Sequence, residues 1–152
     1  EIAERGQLNP IGRFFELNDY QPIDQEIIAN ESVDLVTCYI GLHHCAPEKL
    51  AAYLKSIHRI LRWGGVFVVR DHDADTQQKR DFVSLVHTVF NAGLDISWEQ
   101  DQQEPRYFNG ISHWIEAIEN AGFKDKGLRL TQAHDPSDNV LMAFVKVKEP
   151  QS

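Results

Sequence analysis

The nine residues Ser32–Ile40, S-V-D-L-V-T-C-Y-I, constrain this chain more than any other stretch. They are dense in β-branched side chains and apolar almost throughout, which fits a strand covered on both faces, as in a parallel sheet. A second such run, Val66–Arg70 (V-F-V-V-R), follows a segment in which Leu50, Tyr53, Leu54, Ile57, Ile60 and Leu61 recur at helical spacing. Pro47 sits where a helix opens, its missing N–H costing nothing in the first turn, and Gly64–Gly65 are expected to stop that helix. Strand, helix, strand predicts a parallel pair joined by a right-handed crossover.

The rest of the chain extends an α/β layout. Arg13–Leu17 reads as a short strand ended by Asn18 and Asp19. Asp75 is placed to cap a second helix, with Gln78 in the capping-box position. Phe82, Leu85, Val86, Val89 and Phe90 form its apolar stripe, and Gly93 lies just past its end. Leu94–Tyr107 reads as an irregular excursion. Asn109–Ala121 reads as a third helix, with Trp114, Ile115 and Ile118 on one side and Gly122 closing it. Gly127–Ala133 and Val140–Lys148 flank the turn formers D-P-S-D-N and predict an antiparallel hairpin.

At 152 residues the chain suits one domain that buries a core without staples. The net charge of -8, with Lys and Arg scattered, points away from a nucleic-acid partner. No apolar run approaches a membrane span. Cys38 and Cys45 read as reduced thiols of a cytoplasmic protein. Met142 is the only methionine and the chain opens at Glu1, so a preceding segment is expected; Glu1–Gly6 reads as the last turn of its helix with a closing glycine.

An ordered set of short motifs resembles the class I S-adenosylmethionine-dependent methyltransferases over nearly the whole chain. Asp34 opens the strand V-D-L-V-T-C, and Leu42, His43 and His44 form an L-H-H sequence after it. R-I-L-R-W-G-G at Arg59–Gly65 follows, with Trp63 where proline is usual. R-D-H-D at Arg70–Asp73 leaves the next strand, and A-G-F at Ala121–Phe123 precedes the final strands. The resemblance implies a Rossmann-like sheet, mostly parallel, with a C-terminal antiparallel hairpin and its N-terminal strands missing. Residues 1–152 are then one partial domain. The glycine loop after the family's first strand and the ribose-binding acid after its second have no counterpart. In the family's strand order both missing strands lie between Arg13–Leu17 and Val33–Tyr39, which leaves Val33–Tyr39 with an unpaired edge. That edge is therefore expected to be covered by a preceding segment or by self-association.

The implied cofactor is S-adenosylmethionine, and the implied reaction is methyl transfer to an acceptor, a small molecule rather than nucleic acid. Asp19 matches the acid that meets the adenine, although an Asp at a strand end is equally a turn former. Tyr20, Cys38, Tyr39 and Ile40 are the remaining candidates for cofactor contact; packing alone also accounts for Tyr39. His43, His44, Asp71 and His72 are the catalytic candidates, an imidazole being able to accept the acceptor's proton. The two adjacent histidines also suit a structural role at a helix start. Asp19, Tyr39, His43 and Asp71 are expected to open onto one crevice at the strand ends. His87, Trp98, Glu99, Tyr107 and Trp114 fall where the family inserts a substrate cap. No metal is expected, because Asp71, His72, Asp73 and Asp75 lack a further ligand spaced to finish a shell. The rival readings are a methyltransferase-like binding or assembly module that no longer catalyses, and a fragment of another nucleotide-binding enzyme such as a dehydrogenase. The closing hairpin argues against the latter.

Overall fold

The computed structural model describes residues 12–147. The helix end expected at Glu1–Gly6, and Lys148, lie outside them. In chain order the elements are β1 (Val33–Tyr39), α1 (Pro47–Ile60), β2 (Leu61–His72), α2 (Gln77–Gly93), α3 (Trp98–Gln103), α4 (Ile111–Asn120), β3 (Phe123–Asp125), β4 (Leu130–Thr131) and β5 (Asn139–Lys146). A single 3-10 turn, Leu42–His44, follows β1.

The crossover is as the sequence predicts. β1 and β2 are parallel neighbours, with Val36 opposite Phe67 and Cys38 opposite Val69, and α1 joins them. β5 then runs antiparallel on the far side of β2, and β3 and β4 both pair with β5, giving the order β1-β2-β5-β3. Leu50, Tyr53, Leu54 and Ile57 of α1 and Trp114 and Ile118 of α4 bury against Phe67, Val69, Met142 and Phe144 of the sheet. Each such side chain contributes about 1.5–3 kcal/mol through burial, the main source of stability here.

Several local expectations need correction. Arg13–Leu17 is not a strand, since among the described residues nothing pairs with it; Phe14 stands exposed and the chain turns left-handed through Asn18–Tyr20. β1 is not covered on both faces, because among the described residues nothing lies over Leu35 and Tyr39, which are more than half exposed. α1 stops at Ile60 rather than at the glycine pair. Leu61 turns extended there to bury its side chain completely, and Gly64 (φ 80°) sits in a bulge between the Val33–Leu61 and Leu35–Val66 pairs. Trp63 is thus a strand residue rather than a helix ending. It lies under the buried Lys146 ammonium, 4.3 Å from its ring centre.

Thr76, not Asp75, caps α2 by accepting from the Lys79 N–H. Within Leu94–Tyr107, expected to be irregular, Ser97 and Gln100 form a full capping box that starts α3. The single strand expected at Gly127–Ala133 is only the two-residue β4, and the three-residue β3 precedes it; strands this short carry too little alternation to read. None of the expected α2 stripe is buried, and Leu85, Val89 and Phe90 stay largely exposed; the one buried residue of α2 is Val83, which the stripe omitted. α2 therefore does not seat on the main core. With Ala74 and Phe108 its Val83 makes a small second cluster. α3 is tied to α2 through Asp101, which accepts from Thr88, Asn91 and the Arg106 guanidinium.

Candidate functional site

The carboxyl ends of β1 and β2 and the start of β5 meet at one end of the sheet. Residues placed there face a cleft outside the strands, the position where open α/β sheets take ligands. Ile40 just past β1, His72 at the end of β2 and Asn139 at the start of β5 form its base. His44 comes from the 3-10 turn, Val86, His87, Phe90 and Asn91 from α2, and Glu104 and Ser137 complete the lining of about 450 Å³. Ile40 holds a left-handed backbone (φ 53°), a genuine outlier for a β-branched residue. Strain of this kind persists only where the surroundings fix it and clusters at functional sites.

Beneath the cleft lies a polar knot. Asp71 continues the buried face of β2 after Phe67 and Val69, and its carboxylate accepts from His43 Nδ1 (2.8 Å), the His43 N–H (3.3 Å) and the His72 N–H (2.8 Å). Burial alone would raise its pKa, but these donors outweigh burial and hold Asp71 below the ordinary carboxylate range. His43 and Asp71 are both fully buried. They lie under the cleft rather than opening onto it, which corrects the expectation of one crevice for Asp19, Tyr39, His43 and Asp71. His43 Nε2 is buried with no hydrogen-bond partner.

The other three cleft imidazoles are held neutral. Burial lowers the pKa of His44 and of His72, and burial plus the neighbouring histidines and Arg106 brings His87 down to about 4. Nδ1 of His44 meets the Pro105 carbonyl at 3.0 Å and Nδ1 of His72 meets the Ser137 carbonyl at 3.2 Å. A carbonyl only accepts, so in each ring Nδ1 carries the proton and Nε2 the lone pair. Ser137 and Asn139 are themselves positioned by Asp135, which accepts from both.

The cofactor candidates are placed less uniformly. Tyr20 donates its hydroxyl to the Gly41 carbonyl (2.6 Å), which fixes the Asn18–Tyr20 turn beside the end of β1. Asp19 stands exposed and pairs with Lys49 of α1, away from the cleft lining. Tyr39 is exposed on the open face of β1, and Cys38 is half-buried on the opposite face, its thiol pushed up to about 12 mainly by burial. Of the former metal suspects, Asp73 accepts from the Ile111 N–H at the start of α4, and Asp75 pairs with Lys79. The structure thus gathers His43, His44, Asp71, His72 and Ile40 with His87, expected above as a cap residue, and adds Phe90, Ser137 and Asn139. His87 had a readable signal, since it sits one turn after the buried Val83 and interrupts an apolar helix face.

Residues 12–69 match the family model of a methyltransferase domain. Among solved structures, the chain is similar to a protein of Listeria monocytogenes described as an S-adenosylmethionine-dependent methyltransferase. The two share 14% identity and a TM-score of 0.60, over 96% of this chain and 74% of that one. It is also similar to the 1,6-didemethyltoxoflavin N1-methyltransferase of Burkholderia thailandensis, solved with 1,6-didemethyltoxoflavin and S-adenosylhomocysteine, at 18% identity and a TM-score of 0.56, over 82% and 48% of the two chains. PigF with SAH resembles it at 17% identity and a TM-score of 0.56, over 80% of this chain and 32% of that one. No curated protein matches the chain by sequence.

The fold is that of the class I S-adenosylmethionine-dependent methyltransferases. The methyltransferase-domain match is confined to residues 12–69, and the chain spans only about a third of the length of PigF.

Proposed function

We propose that the chain forms the acceptor-side half of a methyltransferase site, transferring a methyl group from S-adenosylmethionine to a small, largely apolar acceptor. The observation that carries this reading is the cleft itself. Its walls of Ile40, Val86 and Phe90 meet a few fixed polar groups at the carboxyl ends of parallel strands, the usual build of a small-molecule site. The donor reading is supported by the S-adenosylhomocysteine bound in the Burkholderia neighbour. The Tyr39–Gly41 turn, strained at Ile40 and pinned by Tyr20, forms the floor between the donor and the acceptor.

Alignment supplies most of the rate, since methyl transfer needs an acceptor lone pair held in line with the sulfonium carbon. S-adenosylmethionine would supply an electrophilic methyl group at its sulfonium, and the cleft residues would hold the oxygen or nitrogen lone pair of the acceptor towards it. The acceptor's proton passes to Nε2 of His44. That ring is neutral, oriented by the Pro105 carbonyl and partly open to the cleft. Glu104, 3.7 Å from it, stabilises the imidazolium that results.

The test is transfer of labelled methyl to a panel of small hydroxylated and N-heterocyclic aromatics. His44→Ala is expected to lower turnover about 100-fold or more, with S-adenosylhomocysteine affinity unchanged. Equal turnover in the two proteins would remove His44 from the mechanism.

A further inference from the structure

Hydrogen bonds fix the proton on each of four neighbouring imidazoles. His43 gives its Nδ1 proton to Asp71 and His44 gives its own to the Pro105 carbonyl, so in both rings the lone pair lies on Nε2. His72 gives its Nδ1 proton to the Ser137 carbonyl, so its Nε2 only accepts. Nε2 of His87, 3.2 Å away, is therefore the donor of that pair, and the lone pair of His87 lies on Nδ1. The His72 lone pair is thus taken up by His87, whereas His43, His44 and His87 each keep one nitrogen that can only accept.

The same three rings come together. One ring nitrogen from each of His43, His44 and His87 lies within 4.8 Å of those of the other two. His43 is the fixed member: its ring is fully buried, Asp71 holds it from behind, and its Nε2 has no hydrogen-bond partner. An orphaned acceptor in such a place costs free energy unless something binds it. A tetrahedral ion with metal–nitrogen bonds of about 2.0–2.1 Å holds neighbouring nitrogens about 3.3 Å apart. The remaining closure, at most about 1.5 Å, falls to His44 and His87, which are only partly buried, His87 on the loosely seated α2. A carboxylate behind His43 and a carbonyl behind His44 are the supports that orient metal-ligating histidines. Phe108 packs 5.0 Å from the His43 ring and 5.2 Å from that of His87 and forms an apolar wall. His44 and His87 also line the cleft, which gives an ion its way in.

We propose that His43, His44 and His87 bind one divalent transition ion of the zinc class, each through the nitrogen that its hydrogen bonds leave as an acceptor. An all-imidazole set suits zinc, copper, nickel or iron rather than magnesium or calcium. An ion held there takes the His44 lone pair that the proposed proton transfer needs, so the two uses of the site exclude one another. The binding itself rests on the rings and their hydrogen bonds, so metal alone tests it without donor or acceptor.

The experiment is calorimetric titration of the metal-stripped protein with Zn²⁺, paired with Co²⁺ as a visible-absorption probe of tetrahedral coordination. One equivalent is expected to bind, with the intense absorption of tetrahedral Co²⁺. His44→Ala and His87→Ala each remove one of three protein ligands and should lower affinity about tenfold or more and abolish that absorption. Both positions are only partly buried, so the folded state should survive either change, read as a retained unfolding transition. His113→Ala, at an exposed histidine of α4, should leave affinity and absorption as they are. No stoichiometric binding by the parent protein would overturn the proposal, as would affinity that His44→Ala or His87→Ala leaves intact or that His113→Ala reduces equally.

Discussion

His43 Nδ1 lies 2.8 Å from Asp71 Oδ1, and neither side chain reaches solvent. The same carboxylate takes the backbone N–H groups of His43 and His72, so it ties the turn after β1 to the end of β2. Asp71→Ala would strand all three donors in the interior. Losing one partner of a buried pair costs several kcal/mol because the other is left uncompensated. The expected loss is about 3 kcal/mol in denaturant unfolding; a loss under about 1 kcal/mol would show the knot to be dispensable.

Asp135 provides a pH test. Burial pushes its carboxyl up, but the Ser137 hydroxyl and N–H, the Asn139 amide and Arg70 outweigh that and bring it from 3.8 to about 2. A depressed folded pKa stabilises the fold above the unfolded value, and the gain is lost as pH falls through the folded one. Stability should therefore decline between pH ~4 and ~2 by on the order of 1 kcal/mol from this group, after allowing for screening near the surface. Asp135→Asn should flatten that part of the profile. An unchanged acid profile in this variant would contradict the assignment.

Lys146 is buried to 3% exposure, and three partners hold it: the Leu61 carbonyl at 2.8 Å, Glu31 at 3.6 Å and the Trp63 ring beneath. Trp63→Ala removes the aromatic face and opens the ammonium to water. The expected cost is about 1 kcal/mol, read as a lower unfolding midpoint. Trp63→Pro, restoring the residue usual in the family, should cost at least as much, since proline supplies no ring for the cation. A Trp63→Pro protein as stable as the parent would show that the cation–ring contact contributes nothing.

The crossover was legible because β1, α1 and β2 each carry a long, unambiguous period, and parallel pairing follows from their order. The elements that escaped are those whose signal is short or depends on partners. β3 has three residues and β4 two, and α3 rests on the Ser97–Gln100 box and on the Arg106 cluster more than on an apolar face. The α2 stripe was legible but not its destination, since Val86 and Phe90 line the cleft instead of the core. Within the site, His43, His44, Asp71 and His72 followed from motifs that lie next to strands. His87 joins them from 15 residues beyond His72, through a helix whose placement the sequence does not encode locally.

Hydrogen–deuterium exchange with and without S-adenosylhomocysteine tests directly whether the strand ends of β1 and β2 hold the donor. The account predicts saturable 1:1 binding and slowed exchange at Tyr39–His44 and Asp71–His72, the segments that end β1 and β2. Absence of binding, or protection confined to residues away from these strand ends, would contradict it.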